Sequence, residues 1–95
     1  MANPEIDQPI TLQTDAFITD GLCIQVVDHP TIAGGVLLKV LVRASFSEGE
    51  KCWLVDATGA RIGATVERIE RHSSDRELTL AATLPDDARW RAKSA

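Results

Sequence analysis

The sequence predicts an all-β fold: a small six-stranded antiparallel β-barrel followed by a short C-terminal helix or tail. Three observations carry this. Residues 77–84 alternate strictly, with Leu78, Leu80, Ala82 and Leu84 set against Glu77, Thr79, Ala81 and Thr83, the period of two of a strand with one buried face. Runs rich in Val, Leu, Ile and Thr recur along the chain, separated by turn-forming stretches such as Ala57-Thr58-Gly59-Ala60 and His72-Ser73-Ser74-Asp75. A sheet of such short strands has exposed edges, and closing into a barrel removes them.

Residues 1–9, with Pro4 and Pro9, read as a flexible or extended lead-in, residues 10–85 as the barrel, and residues 86–95 as the helix or tail. The first strand is Ile10-Thr11-Leu12-Gln13-Thr14, which Asp15-Ala16-Phe17-Ile18 either continues or turns. A turn is expected at Thr19-Asp20-Gly21, with Gly21 in the left-handed region. Leu22 to Val27 forms the second strand, stopped by Asp28-His29-Pro30 because proline has no N–H to give a ladder. Gly34-Gly35 reads as a turn, since it lacks the spacing of a phosphate loop and runs straight into a β-branched strand.

Residues 36–44 are apolar on both faces over much of their length, as a central strand is. A turn over residues 46–50 follows, with Phe46 beneath it. Strands are then expected over 51–57, 61–70 and 77–84. In the middle one, Val66 and Ile69 stand three apart and Glu67 and Arg71 four apart, a pattern that a helix also satisfies. A strand with a β-bulge is the reading preferred, because a bulge shifts the inward face by one residue and bulges are frequent where small sheets bend to close. In the tail, Pro85-Asp86-Asp87 precedes Arg89, Arg91 and Lys93, the charge order of a short helix.

Ninety-five residues make one domain with a modest core. The longest apolar run, residues 36–42, is broken by Lys39 and falls far short of the roughly 20 residues of a membrane span. Met1-Ala2-Asn3-Pro4-Glu5-Ile6-Asp7 has neither the basic start nor the apolar stretch of a signal peptide. A cytoplasmic location without membrane contact is therefore expected, with Cys23 and Cys52 as reduced thiols. The net charge of -4 argues against a general nucleic-acid binder. Residues 1–38 hold no Lys or Arg while the tail is locally basic, a separation suited to head-to-tail association or to a charged partner.

Ser47-Glu48-Gly49-Glu50-Lys51-Cys52-Trp53-Leu54-Val55, Ala64-Thr65-Val66-Glu67-Arg68-Ile69 and Arg76-Glu77-Leu78-Thr79-Leu80 together resemble the second-domain barrel of translational GTPases such as elongation factor Tu. Gly49, Val66, Ile69, Leu78 and Leu80 are the matching positions. The resemblance implies a barrel that makes RNA and protein contacts, and no GTP hydrolysis, because the family's P-loop domain has no counterpart here. Asp56-Ala57-Thr58-Gly59-Ala60-Arg61-Ile62-Gly63 resembles the nucleotide-binding turn of PilZ barrels, but the spacing to Gly63 is longer and Arg43 stands without the family's paired arginine.

The residues that could carry chemistry are few. Cys23, Cys52, His29, His72, Ser73 and Asp75 are available for nucleophilic catalysis, but His72-Ser73-Ser74-Asp75 reads as turn chemistry. Two isolated Cys and two isolated His offer no zinc spacing, so neither metal nor cofactor is expected. Glu48 with Glu50, and Glu67 with Glu70, are flanked by Lys51, Arg68 and Arg71, a charge-balanced solvated face. Arg89-Trp90-Arg91 is the leading binding candidate, because Trp and Arg dominate hot spots; its alternative is Trp90 folded back onto the core. Trp53 is expected inside. The function expected is a non-enzymatic protein-interaction or adaptor module that self-associates, and the alternative is an RNA- or nucleotide-binding barrel using Arg43, Arg61 and the tail.

Overall fold

Six strands form in chain order: β1 (Pro9–Gln13), β2 (Ile18–Asp28), β3 (Val36–Val42), β4 (Lys51–Val55), β5 (Arg61–His72) and β6 (Asp75–Ala82). They come from a computed structural model that describes residues 3–93; the outermost lead-in and tail positions, residues 1–2 and 94–95, lie outside it. All neighbouring strands are antiparallel, and they close in the order β1-β2-β3-β6-β5-β4. The six-stranded barrel expected from alternation and turn chemistry is thus the fold. The closing seam is short, pairing Thr11, Leu12 and Gln13 of β1 with Val55, Leu54 and Trp53 of β4.

Register stacks the interior in rows. Ala64, Ala82 and Val36 lie side by side on β5, β6 and β3, and the next row holds Val66, Leu80, Leu38 and Val26. Leu12, Leu54 and Ile62 fill the seam side. Ile10, Leu12, Leu38, Val40, Leu54, Val66, Leu78 and Leu80 have no exposed surface at all. Removing each such aliphatic side chain from water is worth about 1.5–3 kcal/mol.

The bulge on β5 is present and resolves the helix ambiguity. Val66 pairs with Leu80 and Arg68 with Thr79, so Glu67 is the extra residue. Val66 and Ile69 therefore both turn inward despite standing three apart. Residues 48–50 follow β5 around this point: Gly49 N donates to Val66 O at 2.7 Å, Val66 N to Glu50 O at 2.8 Å, and Ile69 N to the Glu48 carboxylate at 3.1 Å.

Several sequence expectations give way. The first turn lies at residues 14–17, where Thr14 Oγ1 accepts from Ala16 N at 3.1 Å and Phe17 N at 3.2 Å, so Thr19-Asp20-Gly21 belongs to β2. Phe17 meets Phe46 edge-on, with ring centroids 5.4 Å apart. No helix forms in the described part of the tail. Its backbone is bonded to the barrel instead, with Ala57 N donating to Arg89 O at 2.6 Å and Gln8 Nε2 to Arg91 O at 2.6 Å. A few residues could not have sustained a helix against such partners. The lead-in is likewise tied down: Asp7 N donates to Cys23 O at 2.7 Å, and Pro4 is buried.

Gly21 shows why that strand position tolerates no side chain. A Cβ there would stand 2.6 Å from Val40 Cγ1, 2.8 Å from Val42 Cγ1 and 2.9 Å from Leu41 O. Its partner across the β1–β2 ladder, Ile10, is core, as are Val40 and Val42. Gly21→Ala is therefore expected to destabilise the fold by about 1–3 kcal/mol, the cost of overpacking a filled interior, read as a lower urea midpoint with an unchanged slope.

Candidate functional site

With the interior filled, the surface is where this barrel can meet a ligand or partner. On the outer wall the outward residues of β4 and β5 are Lys51, Trp53 and Val55, and Arg61, Gly63 and Thr65. Trp53 pairs with Gln13 on one side and Gly63 on the other. It is 39% exposed, so the expectation of a core residue is overturned by the strand's phase, which gives the interior to Cys52 and Leu54. A Cβ on Gly63 would stand 3.8 Å from Trp53 Cζ3, so the indole leans over the gap that glycine leaves. Arg61 caps the ring, its Cζ 4.9 Å from the centroid, a cation–π contact.

Beside Trp53 lies an open hollow of about 350 Å³ between Asp15, Lys51, Gly63 and Thr65. A second, of about 290 Å³, meets it at Gly63 and Thr65 and runs on to Ala81, Ile32 and His29. Val27, Leu37, Ala81 and Thr65 form one cross-strand row leading to this wall. Ile32 and Val27 at its far side are 50% and 43% exposed. The result is a continuous apolar strip with a tryptophan ridge at one end and small residues along its floor.

The arginines singled out from the sequence do not assemble. Arg43 reaches Asp75 at 3.3 Å, opposite the last residue of β5, whereas Arg61 is the first residue of the same twelve-residue strand. Arg91 Nη2 binds the Asp20 carboxylate at 3.0 Å, and Arg89 is exposed. Trp90 is half-buried and packs against the core, as the fold-back alternative expected.

Asp56, which the sequence marked only as the first residue of the PilZ-like turn, holds the tail. It is buried, and its Oδ1 accepts from Thr58 Oγ1 at 2.6 Å, Thr58 N at 2.9 Å and Ala60 N at 3.0 Å. Its Oδ2 accepts from Arg89 N at 3.3 Å. One carboxylate thus shapes the β4–β5 turn, with Gly59 at φ 88°, and anchors residue 89 to it. The Thr58 hydroxyl, then the backbone donors, hold its pKa below the ordinary value against the opposing effect of burial.

The nucleophile candidates are not activated. Cys23 and Cys52 are free and buried, and burial pushes both thiols up, Cys52 to about 11 with the Glu50 charge adding to the effect. Ser73 serves the β5–β6 turn at φ 56°. His72 Nε2 lies 3.5 Å from Glu77 and 3.9 Å from Glu70. Glu48 and Glu50 accept backbone N–H groups of Ile69 and Ser47. Among the described residues no helix is long and apolar enough to cross a membrane. Compared with known families, curated proteins and solved structures, the chain matches none.

Because the folded-state pKa of Asp56 is lowered, its stabilising contribution is complete above the unfolded value near 3.9 and is lost as pH falls through the folded value. Urea midpoints measured between about pH 5 and pH 2 should fall for the native chain. Asp56→Asn is expected to start lower and to show a shallower fall, with the backbone amide of Arg89 exchanging faster at neutral pH.

Proposed function

We propose that the protein is a non-catalytic protein-interaction module that self-associates through the wall around Trp53. The observation that carries this is a half-exposed tryptophan poised over a glycine-floored hollow. Tryptophan contributes large buried area at low entropic cost and is prominent among interface hot spots. A twofold contact needs one patch that complements itself. Here the ridge, Trp53, lies next to the hollow that could receive the same residue of a second copy. The rim carries both signs, Asp15 and Glu67 against Lys51 and Arg61, so a twofold rotation can set opposite charges together.

The tail is a weaker candidate than its composition suggested, because its backbone and Arg91 are engaged by the barrel. The phosphate-binding reading is also disfavoured. Lys39, Arg43, Arg68, Arg91 and Lys93 are each within ion-pair reach of a carboxylate of this same chain, and a polyanion would have to displace those partners.

Gly63→Lys provides the direct test. Gly63 is not in the left-handed region and its side-chain space is open apart from Trp53, so the variant folds while a charged chain fills the hollow. Light-scattering mass measured across a concentration series is expected to rise above the monomer for the native chain and to remain monomeric for Gly63→Lys and Trp53→Ala. Added salt should change the native association little. A native chain that is monomeric at every concentration, or a Gly63→Lys protein that still associates, refutes the reading.

A further inference from the structure

We propose that Glu70, His72 and Glu77 form a binding site for a divalent transition-metal cation of the zinc class at the β5–β6 hairpin. Glu70 and Glu77 face each other directly in the ladder, and His72 is two residues beyond Glu70 on the same face. One ligand atom from each lies within 4.8 Å of the other two. Zinc bonds of about 2.0–2.2 Å put ligand atoms roughly 3.4 Å apart in a tetrahedron. The two distances from His72 Nε2, 3.5 Å to Glu77 Oε1 and 3.9 Å to Glu70 Oε2, are close to that, and flexible glutamates close the remainder.

The oxygens are divided in a way that suits this. Arg68 Nη2 holds the other Glu70 oxygen, Oε1, at 3.1 Å, and Lys39 Nζ holds the other Glu77 oxygen, Oε2, at 3.6 Å. Each carboxylate is therefore oriented from its outer side while its inner oxygen faces the imidazole, as outer-shell partners orient ligating groups. Two carboxylates directly opposite on paired strands repel, and a cation between them reverses that. Water completes the coordination, because His72 is about half exposed.

The same surroundings choose the metal. Lys39 and Arg68 offset the charge of the two carboxylates, so hard cations that depend on that charge, Ca²⁺ and Mg²⁺, gain little here. A borderline cation gains from the imidazole nitrogen. Bound there, it would staple the ends of β5 and β6, with stability rising as metal concentration exceeds the dissociation constant.

Calorimetric titration of the full chain with Zn²⁺ tests the site, with Ca²⁺ and Mg²⁺ run alongside. One saturable equivalent of Zn²⁺ is expected, with no comparable heat from the other two. His72→Ala and Glu77→Gln should each weaken Zn²⁺ by roughly tenfold or more, while His29→Ala, which removes the other imidazole, leaves it unchanged. Zn²⁺ should also raise the melting temperature of the native chain and not that of His72→Ala, whose circular dichroism confirms its fold. Absence of saturable Zn²⁺ binding overturns the proposal, as does binding that survives His72→Ala or is lost in His29→Ala.

Discussion

Closure of a short sheet on itself governs everything else in this protein. Three residue pairs between β1 and β4 complete the ring, and once it is complete every strand must give one face to the same narrow interior. Residue size then decides what fits. Ala64 and Ala82 share a row with Val36, larger aliphatics fill the rows beside it, and Gly21 yields its side-chain volume to Val40 and Val42. With that interior taken up by aliphatic side chains, the hollows described above lie on the wall, and recognition falls to the surface.

Much of that architecture was legible from the residues. Leu78 and Leu80 announced their strand because a single period of two runs through it uninterrupted. The β5 bulge was legible too, since Val66 and Ile69 cannot both face inward in a strand unless one residue is extra. The misreadings share a cause. Gly21 reads as a turn from sequence because glycine has two uses, left-handed backbone and close approach, and only the packing partners distinguish them. Size alone favours burial of Trp53, whereas the phase set by Cys52 and Leu54 faces it outward. The tail's helix signature failed against Asp56 and Gln8, partners remote in sequence that local charge order cannot report.

The candidate sites were less legible than the fold because they are products of register. Trp53 and Gly63 are ten residues apart and become neighbours only when β4 and β5 pair. Glu70, His72 and Glu77 carry no metal spacing of the kind that Cys-x-x-Cys displays. Once the hairpin turn is fixed at Ser73-Ser74, however, counting back from it pairs His72 with Asp75 and Glu70 with Glu77. The signal was present in the sequence but required the turn to be located to the residue. Arg89-Trp90-Arg91 was the reverse case, a conspicuous composition whose members are spent on holding the chain end to the barrel.

The bulge at Glu67 links the fold to both surfaces. Before it, β5 sends its odd-numbered residues outward, so Arg61, Gly63 and Thr65 meet Trp53 on the wall. After it, Ile69 turns in against the core and the even-numbered Arg68, Glu70 and His72 turn out. Were Glu67 paired in the ladder instead of bulged, strict alternation through residue 72 would point Ile69 to solvent and Glu70 and His72 toward the interior side. Burying those ionisable groups would cost more than the ladder could return. A single inserted residue, held by the Glu48 carboxylate at Ile69 N, therefore lets one strand serve the core continuously while presenting an apolar wall at one end and an ionic cluster at the other.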